Sequence, residues 1–147
     1  MQHDELAFMP ATDLAGAIRK KQVSPLEAVA TVLDRIERVN PRLNAYCTVT
    51  GDAARAEARA AEAAVMRGDR LGPLHGVPYS VKDLVITRGV RTAFGSRLYE
   101  HNVPDEDAPV VERLRAAGAI LVGKTTTPEV GWKGTTDSPL TGISRNP

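Results

Sequence analysis

The chain has 147 residues, 42% of them hydrophobic and 25% charged, with a net charge of +1. That balance describes a folded globular protein with room for one ordinary domain, and it excludes a disordered chain, a nucleic-acid footprint and a polybasic membrane patch. Apolar runs of a few residues are too short to cross a bilayer, and Asp4 and Glu5 break any secretory pattern at the N-terminus. One cysteine, Cys47, permits no internal disulfide and fits a reducing, cytoplasmic setting; its strand-like neighbours mark it as inert core.

Thr12 is placed to cap a short helix with Leu14, Ala17 and Ile18 on one face and Lys20 and Lys21 at its C-terminal end. Ser24-Pro25-Leu26-Glu27 starts a second helix, because serine caps, proline suits the first helical position and Glu27 completes a capping box. Leu26, Val29, Leu33 and Ile36 form its apolar stripe, and Asn40-Pro41 is expected to end it. Residues 44–49 read as a strand. The alanine-rich run from Asp52 to Arg67 reads as a third helix stopped by Gly68.

Val77, Tyr79 and Val81 then alternate with Pro78, Ser80 and Lys82 at the period of a strand, which sets a lysine in an apolar, buried-looking run. Residues 87–108 are loop-like. A helix follows Asp107, with Val110, Val111, Leu114 and Ala117 on one face and Gly118 closing it, and Ala119–Val122 is a compact strand. Strand, helix, strand predicts a βαβ unit and an α/β sheet containing Lys82. Residues 1–70 are thus expected to be helical, 71–125 to carry the βαβ segment and 126–147 to be loop-rich, all within one domain.

Gly118-Ala-Ile-Leu-Val-Gly123-Lys124-Thr125 matches a phosphate-loop pattern by letter. The physics opposes it. A helix rather than a strand precedes Gly118, the four intervening residues belong in a sheet ladder, and Thr125-Thr126-Thr127-Pro128 starts a helix poorly. Lys124 is instead expected at the solvent end of a strand.

Several stretches together resemble the amidase signature family, in the family's order. They are Gly72-Pro-Leu-His-Gly-Val-Pro78 with Val81-Lys82-Asp83, Thr92-Ala-Phe-Gly95-Ser96, Asp105-Glu-Asp107-Ala108, Val111-x-Arg113-Leu114-x-x-Ala117-Gly118-Ala119, Gly123-Lys124-Thr125 with Pro128-Glu129, and Gly142-x-x-Arg145-Asn146-Pro147. The resemblance implies the N-terminal part of a fold with a mixed β-sheet flanked by helices. It also implies amide C–N hydrolysis by a Ser–Ser–Lys triad in which Lys82 is the base. An ammonium cannot accept a proton, so that chemistry needs a neutral lysine, the form that burial favours.

The same resemblance places Gly131 and Trp132 at an acyl pocket, with a small-molecule amide as substrate and neither metal nor cofactor. It implies a homodimer or, for the alternative of the A component of a tRNA-dependent amidotransferase that releases ammonia from glutamine, partner subunits. Thr126 stands where the family often has Asn, and the usual aromatic near Val130 is missing; both depart from the amidotransferase pattern. The family's two serines lie in Gly- and Ser-rich segments, and no such segment occurs in these residues. Lys82 is therefore expected to act without its partners here, in a chain inactive by itself, and a non-catalytic truncated product is the other reading. Such a chain is expected to leave a sheet edge and apolar surface uncovered.

Ser80 shares a strand face with Lys82 and is the one serine that spacing brings near it. Ser96, Ser138 and Ser144 read as loop residues, His75 as part of a turn and Asp83 as a positioning group on the opposite strand face.

Overall fold

Of the helix starts read from the sequence, the one at Ser24 follows its cap. In a computed structural model, which describes residues 3–147, α1 (His3–Ala7) and α2 (Ala11–Arg19) precede α3 (Pro25–Leu43), whose first turn is capped as expected. Ser24 Oγ accepts from Leu26 N at 3.0 Å and Glu27 N at 3.3 Å. Two expectations fail at helix ends. Pro10, not Thr12, occupies the N-cap of α2. Asn40-Pro41 does not stop α3, because Pro41 sits in its last turn and the Asn40 side chain accepts from Ala45 N and Tyr46 N just beyond the helix.

β1 (Tyr46–Val49), α4 (Gly51–Arg67), β2 (Pro78–Lys82), α5 (Pro109–Ala116) and β3 (Ile120–Thr125) follow, so the fold is mixed α/β. Short 3-10 turns at Arg97–Tyr99 and Glu129–Gly131 and a two-residue ladder of β4 (Asp137–Ser138) with β5 (Gly142–Ile143) occupy the loop-rich parts. Gly68 ends α4 in the left-handed conformation at φ 77, as its position after an alanine-rich run predicts. The last long strand runs on past Val122, since Gly123, Lys124 and Thr125 all pair with β1.

The chain divides into two compact units, each assembled from separate stretches. The first comprises residues up to Arg35, Thr50–Tyr79 and Arg113–Val122. Its core gathers Leu6, Leu14, Ala15, Ile18, Val23, Ala28, Val65 and Val77. Backbone bonds of Leu74 N to Ala117 O, Gly76 N to Gly118 O and Ile120 N to Val77 O rise together along both segments, the sense of a parallel pairing. His75 lies in a turn, as expected, and its Nε2 stands 3.0 Å from Ala61 O of α4.

The second unit comprises Ile36–Val49, Ser80–Glu112 and Gly123–Pro147. There β1, the end of β3 and the end of β2 lie side by side in that order. β1 runs antiparallel to β3, with Thr48 opposite Lys124 and Val49 opposite Gly123, and Asp83 N donates to Thr125 O at 2.8 Å on the other side. Parallel and antiparallel neighbours make the sheet mixed.

Candidate active site

The end of β2 displays the alternation seen in the sequence, with one consequence the apolar neighbours disguise. Val77 and Val81 are buried, whereas Ser80 and Lys82 are exposed. The strand has one inward face and Lys82 stands on the other, so the expectation of a buried lysine is not met in this chain. Among the described residues no hydrogen bond or ion pair engages the Lys82 side chain, while its carbonyl accepts from Val85 N at 2.9 Å.

Asp83, the next residue, turns inward and is 1% exposed. Its carboxylate accepts from Ala93 N at 3.3 Å and 3.1 Å, and its carbonyl accepts from Phe94 N at 3.0 Å. Opposite it lies Lys124, which is 0% exposed, with Nζ 3.9 Å from Asp83 Oδ1. Lys124 Nζ donates to Val85 O at 2.6 Å, Thr87 Oγ1 at 3.1 Å and Thr92 Oγ1 at 2.7 Å. The expected place of Lys124 at a solvent end is therefore wrong: β3 continues beyond its apolar stretch, and its penultimate side chain enters the interior. Burial lowers the Lys124 ammonium from its ordinary value and raises the Asp83 carboxyl from its own, while the attraction between them opposes both shifts.

The phosphate-loop reading fails on geometry. Residues 120–125 are strand, no helix opens at Lys124, and its three donors are already taken. Cys47 is half-buried; its Sγ donates to Lys124 O at 3.5 Å, and burial pushes the thiol up to about 11. A thiol raised in this way carries little thiolate at neutral pH.

The loop serines are occupied. Ser96 Oγ donates to Glu129 Oε1 at 2.7 Å and accepts from Leu98 N. Ser138 Oγ bonds Thr141, and Ser144 Oγ donates to Asn44 O at 2.7 Å. Ser80 lies on the same open strand face as Lys82. Gly131 has φ 70, and a Cβ there would stand 2.5 Å from Leu84 Cδ1, so glycine is what fits against the turn that follows Lys82. Trp132 is 75% exposed. Just before them, Val130 N donates to Phe94 O at 2.7 Å, which links this loop through Phe94 to Asp83. Val130 is left-handed at φ 51, an uncommon state for a β-branched residue.

The structure thus brings Lys82, Ser80, Gly131 and the Asp83–Lys124 pair to one end of β2. Sequence reasoning missed the buried role of Lys124 and its acceptors Thr87 and Thr92. Their one trace was a pair of threonines flanking a loop that must close on something polar. Among the described residues no group of three or more His, Cys, Asp or Glu is gathered for a metal, and no helix is long and apolar enough to cross a membrane.

Comparison with known proteins is consistent across sequence and structure. A family model described as Amidase matches residues 27–147. The chain is 43% identical over 97% of its length to the A component of the glutamyl-tRNA(Gln) amidotransferase of Moorella thermoacetica, of which it covers 29%. It is 40% identical over its whole length to an acylamidase of Rhodococcus erythropolis, of which it covers 31%. A crystal structure of a bacterial aryl acylamidase of the amidase signature family superposes with a TM-score of 0.91 at 31% identity, over 97% of this chain and 30% of that one. The 6-aminohexanoate cyclic dimer hydrolase superposes with a TM-score of 0.82 at 33% identity, over 94% and 27%. The chain spans under a third of the length of these relatives. On the family match, the two sequence relationships and the shared fold, the chain belongs to the amidase signature family.

Proposed function

We propose that the chain contributes the base-bearing part of an amide hydrolase that cleaves a carboxamide C–N bond through a Ser–Ser–Lys triad, with Lys82 as its base. The observation that carries this reading is Lys82 at the end of β2, its side chain unengaged on the open strand face, in a chain matched by the Amidase family model. Neither serine of the triad is among these residues. Segments that supplied them would also have to cover Lys82, since a lysine accepts a proton only when its neutral form is accessible. The acyl-enzyme would form on a serine outside these residues as the C–N bond breaks and the amine leaves with the proton that Lys82 took from the nucleophile; water would then release the acid. Gly131 and Trp132 would border the acyl group. No metal or cofactor enters this scheme.

In this reading the 147 residues form the opening stretch of a single amidase domain, act on a small-molecule amide and work in the cytoplasm, which suits a single cysteine. A homodimer is the simplest assembly. The identity to the Moorella thermoacetica amidotransferase favours a second reading, in which the amide is glutamine and partner subunits receive the ammonia.

The test joins this chain to the remaining part of the Rhodococcus erythropolis acylamidase. The chimera should hydrolyse simple carboxamides, and Lys82→Ala should lower kcat by about 10²–10⁴-fold. A folded chimera whose turnover survives Lys82→Ala would refute the assignment. The 147-residue chain alone should show no turnover.

A further inference from the structure

We infer that Lys124 is a permanent ammonium whose task is to position Lys82, by pinning from the inward face of the sheet the turn into which the Lys82 strand runs. The inference rests on the proposed use of Lys82 as base, and it gives the two lysines separate tasks, one structural and one chemical.

The protonation state of Lys124 follows from its partners. Thr87 Oγ1 donates its own proton to Val85 O at 3.0 Å, and Thr92 Oγ1 donates to Val90 O at 3.1 Å. Both hydroxyls therefore offer Nζ only lone pairs, as does the carbonyl of Val85. Three oxygens around Nζ in a site without solvent match the three N–H donors of an ammonium, whereas an amine has two. A neutral amine would meet all three only if a threonine gave up its bond to Val85 O or Val90 O and donated to Nζ instead. The carboxylate of Asp83 supplies the counter-charge at 3.9 Å while both its oxygens receive Ala93 N.

The positioning follows from where those partners sit. Val85 and Thr87 lie on the stretch leaving Lys82, and Thr92 and Ala93 on the stretch returning. Lys124 and Asp83 hold both together. Three backbone bonds complete the clamp: Asp83 N to Thr125 O at 2.8 Å, Val85 N to Lys82 O at 2.9 Å and Phe94 N to Asp83 O at 3.0 Å. The Lys82 carbonyl is itself one of the pinned groups, while the Lys82 side chain leaves on the opposite face. Lys124 thus fixes the base without touching it.

The test uses Lys124→Met, which keeps length and removes the charge and all three donors. Asp83→Asn/Lys124→Met is a second variant that leaves no unpaired buried charge should the single one fail to fold. Val111→Ala, which opens the interior elsewhere, is the control for lost stability. Hydrogen exchange of the chain reads the Asp83, Val85 and Phe94 amides. Both lysine variants should speed their exchange at least tenfold relative to the amides of α2–α4, and the control should not.

In the acylamidase chimera the same variants should lower kcat at least tenfold with KM within about twofold. Equal exchange at those three amides in control and variants, or an unchanged kcat, would overturn the inference. A parental chimera without activity would count against the function of Lys82, while the exchange experiment would still decide whether Lys124 holds the turn.

Discussion

Two glycines in the first unit end helices by the same device, and comparing them isolates the cost of a close backbone approach. Gly68 N bonds Val65 O and Asp69 N bonds Ala64 O after α4; Gly118 N bonds Arg115 O and Ala119 N bonds Leu114 O after α5. Both are Schellman endings, with φ of 77 and 85. Their surroundings differ. A Cβ at Gly68 would meet nothing within 4 Å, whereas one at Gly118 would lie 2.9 Å from His75 Cα and 3.1 Å from its Nδ1. Gly68→Ala should cost only the left-handed placement, about 1–2 kcal/mol. Gly118→Ala should add an overpacking cost of about 1–3 kcal/mol, because backbone must move and the His75 tie to Ala61 with it. Urea unfolding followed by circular dichroism measures both. With an m-value of about 2 kcal/mol/M, the Gly118 variant should unfold roughly 0.5–1.5 M below the Gly68 variant. Equal midpoints would show that the approach of His75 constrains nothing.

Two further outcomes concern buried titratable groups. Breaking the Asp83–Lys124 pair through Lys124→Met should cost about 3–5 kcal/mol, and Asp83→Asn/Lys124→Met should cost less than the sum of the two single changes. Because the folded Asp83 carboxyl is already raised, losing Lys124 raises it further; the variant's deficit should grow as pH rises through that value and shrink near pH 4. Denaturation at pH 4.5 and 7.5 checks the sign, and a larger deficit at the lower pH would contradict it. Cys47, with its thiol at about 11 against an ordinary 9.0, adds stability below pH 9 that is lost as pH climbs towards 11. Its alkylation by iodoacetamide at pH 8 should run at least about tenfold slower than that of an unfolded cysteine; equal rates would refute the burial argument.

Local chemistry made most of the framework legible. Ser24-Pro25 announced α3, Gly68 closed the alanine-rich helix, and the alternation around Val81 placed β2. The long-range features were not legible. The course of α3 past Pro41 depends on Asn40 reaching Ala45 and Tyr46. Lys124 needs acceptors 32 to 39 residues earlier in the chain, and no spacing rule connects them to it. Lys82 and Lys124 exchange their expected environments for the same reason. An apolar neighbourhood in sequence gives a strand two faces, and only the finished sheet decides which of them is covered.

The adjacent Lys82 and Asp83 also guard the alignment of β2. A slip of one residue against β3 would invert every side chain of the strand. Lys82 would then be driven inward against the Lys124 ammonium, two like charges with no counter-ion, and Asp83 would be stranded in water. The inverted alignment is penalised at the residue that matters most to the proposed chemistry, so the pair acts as a proofreading device for folding.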